Sequence, residues 1–196
     1  MSRRPVAVAI TGGIGAGKSE ALRAFARHGA ATVSSDEIVH HLLQRDEVKR
    51  LVVQRMGNGV LSPEDEIDRG ALATIVFNDR EALTWLEELL HPLVAAEYLQ
   101  WREDLAKLPD APQVCVTEVP LLYETGGDAR FDKVVAITAP SKLRRARSEV
   151  ATEDRETRLI PDSEKIERAD YAFKNVGGFE ELDAFVASVM ADLVPS

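Results

Sequence analysis

The chain has 196 residues, enough for one domain with a proper core and inserted subdomains. Its net charge of −9 argues against broad capture of nucleic acid, and 45% hydrophobic with 29% charged residues is an ordinary globular mix. No run approaches the roughly 20 apolar residues of a membrane span, and the one cysteine, Cys115, excludes an intrachain disulfide framework and suits a reducing, cytoplasmic setting.

The opening Met1-Ser2-Arg3-Arg4 imitates the charged head of a signal peptide. The apolar run behind it, Val6 to Ile10, is too short for one and reads instead as a buried parallel strand. From Glu20 to His28 the pattern is helical, with Leu22, Phe25 and Ala26 on one face. Between strand and helix stands Gly12-Gly13-Ile14-Gly15-Ala16-Gly17-Lys18-Ser19. Gly-x-x-x-x-Gly-Lys-Ser is the spacing of a phosphate-binding loop, found where the physics requires it, at a strand end that opens a helix. Glycines let successive N–H groups turn inward toward phosphate oxygens, and the helix N-terminus adds partial positive charge. Residues 13 to 19 are therefore the expected nucleotide contacts, Lys18 bridging the outer phosphates and the Ser19 hydroxyl ligating Mg²⁺.

Ala31-Thr32-Val33-Ser34 reads as a second strand, and Asp36 to Met56 as one amphipathic helical stretch that Gly57-Asn58-Gly59 breaks. Asp68 to Phe77 and Arg80 to Leu105 are further helical segments, the second kinked or split by Pro92. Gln113 to Val119 is a strand closed by Pro120, and Lys133 to Thr138 another closed by Pro140. A charged stretch runs from Ser141 to Arg168, then a short strand from Tyr171 to Lys174 and a last helix from Glu180 to Leu193. The alternation predicts a three-layer α/β/α P-loop kinase fold on a parallel five-stranded sheet. Its expected parts are a core of 1–36, 111–143 and 169–196, a helical acceptor-binding insertion at 37–110, and a lid at 144–168. A helical insert and a charged cover are how small-molecule kinases exclude water from a moving phosphoryl group. No Asn-Lys-x-Asp guanine-reading tetrapeptide occurs, which favours ATP.

Phosphoryl transfer needs an acceptor held in line, a group to take its proton, and cations on the equatorial oxygens. Asp36, past the second strand, is the candidate base, with helix capping as the plainer role and no conflict between the two. Glu118 closes the strand Val114-Cys115-Val116-Thr117; it is either a carboxylate holding a magnesium-bound water or an ordinary strand-end acid. Arg144, Arg145, Arg147, Arg155, Arg158 and Lys165 are candidate phosphate clamps, of which one or two are expected to act. His28, His40, His41 and His91 show no metal-ligand spacing.

Together these pieces resemble the dephospho-CoA kinase family over about Val8 to Val189. The resemblance lies in Thr11 to Ser19, Asp36, Ile67-Asp68-Arg69 with Leu72, Val76-Phe77, Leu90-His91-Pro92, Glu118 to Glu124, and Ala169-Asp170-Tyr171 with Asn175 and Gly177. It implies ATP- and Mg²⁺-dependent phosphorylation of the ribose 3′-hydroxyl of dephospho-CoA, giving coenzyme A and ADP. Carried over by position, Lys18, Asp36 and Arg145 are catalytic and Asn175 lies near the adenine. Arg69, His91, Glu118, Pro120, Leu121 and Leu122 border the acceptor. The implied partners are ATP and dephospho-CoA, with no nucleic acid or membrane, and a monomer is favoured. Departures from the family pattern are plain: Ser34-Ser35-Asp36 stands for Asp-x-Asp, His40 for an arginine, and Glu149 for a second spaced arginine. The stretch between Arg158 and Lys165 is short and lacks a glutamine. Two further readings stay open, a kinase for another nucleoside or small alcohol and a nucleotide-binding homologue that has lost transfer.

Overall fold

The computed structural model describes residues 4–147 and 160–194. It divides into two compact units, residues 1–35 with 101–196, and residues 36–100. The first unit is built on β1 (Val6–Thr11), β2 (Ala31–Ser34), β3 (Val114–Glu118), β4 (Lys133–Thr138) and β5 (Tyr171–Lys174). All pair in parallel, in the order β2-β3-β1-β4-β5. The three central strands are buried almost throughout and read as continuous apolar runs, as a sheet covered on both faces requires. The edge strands β2 and β5 are only four residues long, β2 half-buried and β5 alternating half-buried with exposed residues, and their shortness limits further pairing.

Alternation along the strands sorts side chains to two cores. Val8 and Ile10 of β1, Val114 and Val116 of β3, and Val135 and Ile137 of β4 share one core with helix α1 (Lys18–Arg27) and helix α8 (Phe179–Leu193). Ala21 and Ala24 let α1 approach closely while Phe25 fills the gap, and full burial of such a side chain contributes about 1.5–3 kcal/mol. On the opposite face Ala9 and Val134 pack with Leu122 and Tyr123 from the β3–β4 connection. Because β2 lies beyond β3 and β4 lies beyond β1, the connections leaving β1 and β3 run in opposite directions. Such divergence opens a crevice at the carboxyl ends of the strands.

At the other edge of the sheet, two aspartates occupy amides that the ladders leave open. Asp132 Oδ2 accepts from the Ala7 amide, and Asp170 Oδ2 from the Val134 amide, each at 2.8 Å. Lys133 completes the second clasp, its ammonium donating to Asp170 Oδ1 at 2.8 Å. Burial opposes ionisation of Asp170, but the bonds from Lys133 and Val134 outweigh it and hold the carboxyl below its ordinary range.

Helix α6 (Ser141–Arg147) precedes the undescribed segment and helix α7 (Asp162–Arg168) follows it. Lys165 of α7, expected above as a phosphate clamp, is fully enclosed and paired with Glu124 Oε1 at 2.9 Å, an oxygen that also accepts from the Ile160 amide. An ammonium with no exposed surface and a carboxylate on it is a structural tie, not a phosphate ligand. Arg168 adds a second tie from α7, lying 4.1 Å from the Tyr123 ring centroid and 3.2 Å from Asp128 Oδ2.

The second unit is helical: α2 (Ser35–Leu43), α3 (Asp46–Met56), α4 (Arg69–Asn78) and α5 (Arg80–Ala106), with a 3₁₀ turn at Asn58–Val60. The stretch expected as one helix from Asp36 to Met56 is two. Tight-turn bonds from Gln44 N to His41 O and Arg45 N to Leu42 O end α2, and Arg45 is extended. Asp46 and Glu47 then supply the acidic first turn that an N-terminus favours. Asp68 caps α4, accepting from Gly70 N at 2.8 Å and Ala71 N at 3.1 Å. In α5 the helix continues through Pro92 without splitting. Its buried stripe of Ala82, Leu86, Leu90, Val94 and Tyr98 recurs every four residues, while Pro92 sits on the exposed face. One missing amide is outweighed by a stripe of that length.

Two stability predictions follow from these ties. Lys165→Met is expected to destabilise the fold by about 3–5 kcal/mol in denaturant titration because it strands a buried carboxylate, and adding Glu124→Gln should restore part of the loss. Asp170→Asn removes the Lys133 pairing at a cost of about 1 kcal/mol. Since the folded carboxyl titrates below its unfolded value near 3.9, that difference should be constant above pH 5 and fade as pH falls through the folded pKa. Thermal melts from pH 3 to 7 would show it.

Candidate active site

The glycine-rich segment connects Thr11, the last residue of β1, to Lys18, the first of α1. Three glycines there, Gly12, Gly15 and Gly17, hold a positive φ in space that a Cβ would not fit. A Cβ on Gly12, at φ 145°, would collide with the Ile137 carbonyl of β4. Gly17 caps α1 in the left-handed region at φ 101°, and a Cβ there would collide with Asn175 Nδ2. That same amide donates to the Ala16 carbonyl at 2.9 Å, while Asn175 Oδ1 accepts from Gly177 N at 3.0 Å. The Asn175 backbone is itself fixed to Thr138 O at 2.7 Å. Asn175 is thus placed as a brace between the ends of β4 and β5 and the loop, and it is buried.

Lys18 is buried and donates to the Gly13 carbonyl at 3.0 Å across the loop's mouth. The Ser19 hydroxyl donates to Glu118 Oε2 at 3.3 Å. Glu118 stands in register with Ile10 of β1 and Ser34 of β2, so it reaches the loop from the adjacent strand end. Its carbonyl accepts from the Ser35 hydroxyl at 2.7 Å, which directs that hydroxyl across the sheet rather than along α2. A cavity of about 210 Å³ opens here, lined by Gly15, Gly17, Lys18, Ser19, Glu20 and Arg147. Glu20 is engaged by Arg23 at 2.9 Å and Arg27 at 3.2 Å. Amides at a helix start, an ammonium and a guanidinium around one small cavity make an anion site suited to phosphate.

The other expected residues fall as follows. Asp36 is exposed in the first turn of α2, directly after Ser35. Arg69 is the exposed first residue of α4, set by the Asp68 cap, and His91 is exposed on α5 beside Pro92. Pro120 and Leu121 are half-buried, the Pro120 carbonyl accepting from Thr11 Oγ1 at 3.3 Å. Leu122 is fully enclosed in the core with Ala9, Tyr123 and Val134. Arg145 is exposed on α6, and Arg144 lies beside Asp162 at 3.9 Å. Arg155, Arg158 and Glu149 lie outside the described residues. Sequence reasoning did not find Glu20 at the cavity, the Ser35 clasp, or the pairing of Lys165 with Glu124. Only Glu20 carried a local signal, its place directly behind Ser19.

Known proteins bear on this geometry. The family model described as dephospho-CoA kinase matches residues 6–181. A dephospho-CoA kinase of Protochlamydia amoebophila is 37% identical over 194 residues, covering 95% of each chain. One from Rhodopseudomonas palustris is 35% identical over 189 residues, covering 93% of this chain and 92% of the relative. Among solved structures, TT1252 from Thermus thermophilus superposes with a TM-score of 0.77 at 30% identity, covering 98% of this chain and 100% of that one. Dephospho-CoA kinase from Campylobacter jejuni gives 0.69 at 26%, covering 99% and 100%. Shikimate kinase from Aquifex aeolicus, at 0.53 and 14%, shares the fold. By the family match over residues 6–181 and relatives above 30% identity along nearly the full length, this chain belongs to the dephospho-CoA kinase family.

Proposed function

We propose that the chain transfers the γ-phosphoryl group of ATP to the ribose 3′-hydroxyl of dephospho-CoA, giving coenzyme A and ADP. The observation that carries this reading is the phosphate-sized cavity on Lys18 and Ser19 in a chain of this family. The Lys18 ammonium rests on a neutral carbonyl, Gly13 O. An anionic phosphate oxygen is the stronger acceptor and draws the ammonium onto the outer phosphates. Amides of the loop take the inner ones without reorganising, because Asn175 and the close approach of β4 already hold their shape.

Mg²⁺ is the ion expected with the nucleotide. Ser19 Oγ and Glu118 Oε2 lie 3.3 Å apart and are both hard oxygen donors. Such a pair fits an ion that takes one or two protein oxygens beside phosphate and water. Ser19 would ligate it directly and Glu118 hold one of its waters, and when bound it neutralises charge on the phosphate chain. Asp36 takes the proton of the acceptor hydroxyl as the new P–O bond forms, with Arg69 and His91 on the acceptor side. Acceptor binding belongs to the insertion at 37–110 and water exclusion to the lid at 144–168. The working unit is a monomer whose partners are its two small-molecule substrates. A reducing cytoplasm suits the buried Cys115, whose thiol burial pushes up to about 11.

A coupled ADP-release assay tests the activity, and ADP formation that ignores dephospho-CoA would reject it. Asp36→Asn is expected to lower kcat about 10²-fold or more with both KM values within about 5-fold. Lys18→Ala should lower kcat by about 10²–10³ and weaken ATP binding as well, measured in the same assay alongside nucleotide titration.

A further inference from the structure

We infer that Arg147 is the α6 cation that grips the polyphosphate of the bound nucleotide, in place of Arg145. The inference rests on the reading that the loop binds ATP. Helix α6 carries Lys142, Arg144, Arg145 and Arg147. At about 100° per residue, Arg144 and Arg147 lie on one face, and Arg145 is turned about 200° from Arg147.

That face is the one against the loop. The Arg144 carbonyl stands 2.7 Å, and its Cα 3.1 Å, from where a Cβ on Gly15 would sit. Helix backbone and loop backbone are therefore in contact. The Arg144 side chain is only 15% exposed and reaches the Gly13 end of the loop, its Nη1 2.5 Å from the Cβ position there, with Asp162 3.9 Å away, so its charge is shared with a carboxylate. Arg147 lies one turn on. Its Nη1 is 3.9 Å from the Cβ position of Gly17 and its Nη2 is 3.6 Å from that of Gly177. The guanidinium thus sits between the loop and the segment after β5, and it lines the cavity beside Lys18 and Ser19. Arg145 is exposed and contributes nothing to that lining.

A planar guanidinium meets two phosphate oxygens at once, which a point charge on lysine does not.

Calorimetric titration of the full chain with Mg-ADP, a non-hydrolysable ATP analogue and inorganic tripolyphosphate tests the assignment. Arg147→Ala should weaken all three at least 10-fold, Arg147→Lys should recover part of that, and Arg145→Ala should stay within 2-fold. Unchanged melting temperatures would confirm that these exposed positions leave the fold intact. Three outcomes overturn the inference: Arg147→Ala binding as the unaltered protein does, Arg145→Ala showing the larger loss, or a loss confined to the nucleotides with tripolyphosphate unaffected. Turnover of dephospho-CoA by the unaltered enzyme is measured alongside. Its absence would reject the proposed function while the affinities still read the role of Arg147.

Discussion

The site depends on backbone pressed against backbone around one short loop. The Ile137 carbonyl leaves no room for a Cβ at Gly12, and the Asn175 amide holds the Ala16 carbonyl from the far side. A loop gripped on both flanks keeps its shape before any anion arrives. Little free energy is then lost in ordering the loop when phosphate binds, which is the usual source of strength in preorganised anion sites.

The sheet divides its labour between its two edges. At the amino ends, Asp132 and Asp170 satisfy amides of the neighbouring strands and fasten the molecule together. At the carboxyl ends, Thr11, Glu118 and Ser34 terminate β1, β3 and β2 where opposed connections part, and Glu118 there accepts from Ser19, which lines the cavity. Parallel strands make this separation possible, because all five present the same end to the same side. Cations follow the same division: Lys133 and Arg4 serve the aspartate edge, while Lys18 and Arg147 serve the cavity.

Much of the architecture was legible in the sequence. β2, β4 and β5 begin and end where the apolar runs do, and β1 extends only one residue further, to Thr11. These strands are bounded by glycine and proline or by sharp changes in polarity, which are local signals. The break between α2 and α3 was harder because no glycine or proline marks it; the acidic pair Asp46-Glu47 is the clue that local pattern does offer. Lys165 was misjudged for a different reason. Its partner Glu124 lies 41 positions away in the sequence, and nothing near Lys165 announces that the ammonium will be enclosed. Which of three neighbouring arginines meets the cavity is equally non-local, since it depends on which face α6 turns to the loop.

Cys115 has a use that its burial creates. It is the one cysteine in the sequence, it is 1% exposed, and its thiol stays protonated far above neutral pH. Maleimides and similar reagents need an accessible thiolate, so they find nothing to attack in the native fold. A cysteine introduced elsewhere on the surface would carry a fluorophore or spin label without competition, and the natural chain needs no prior substitution to serve as the background.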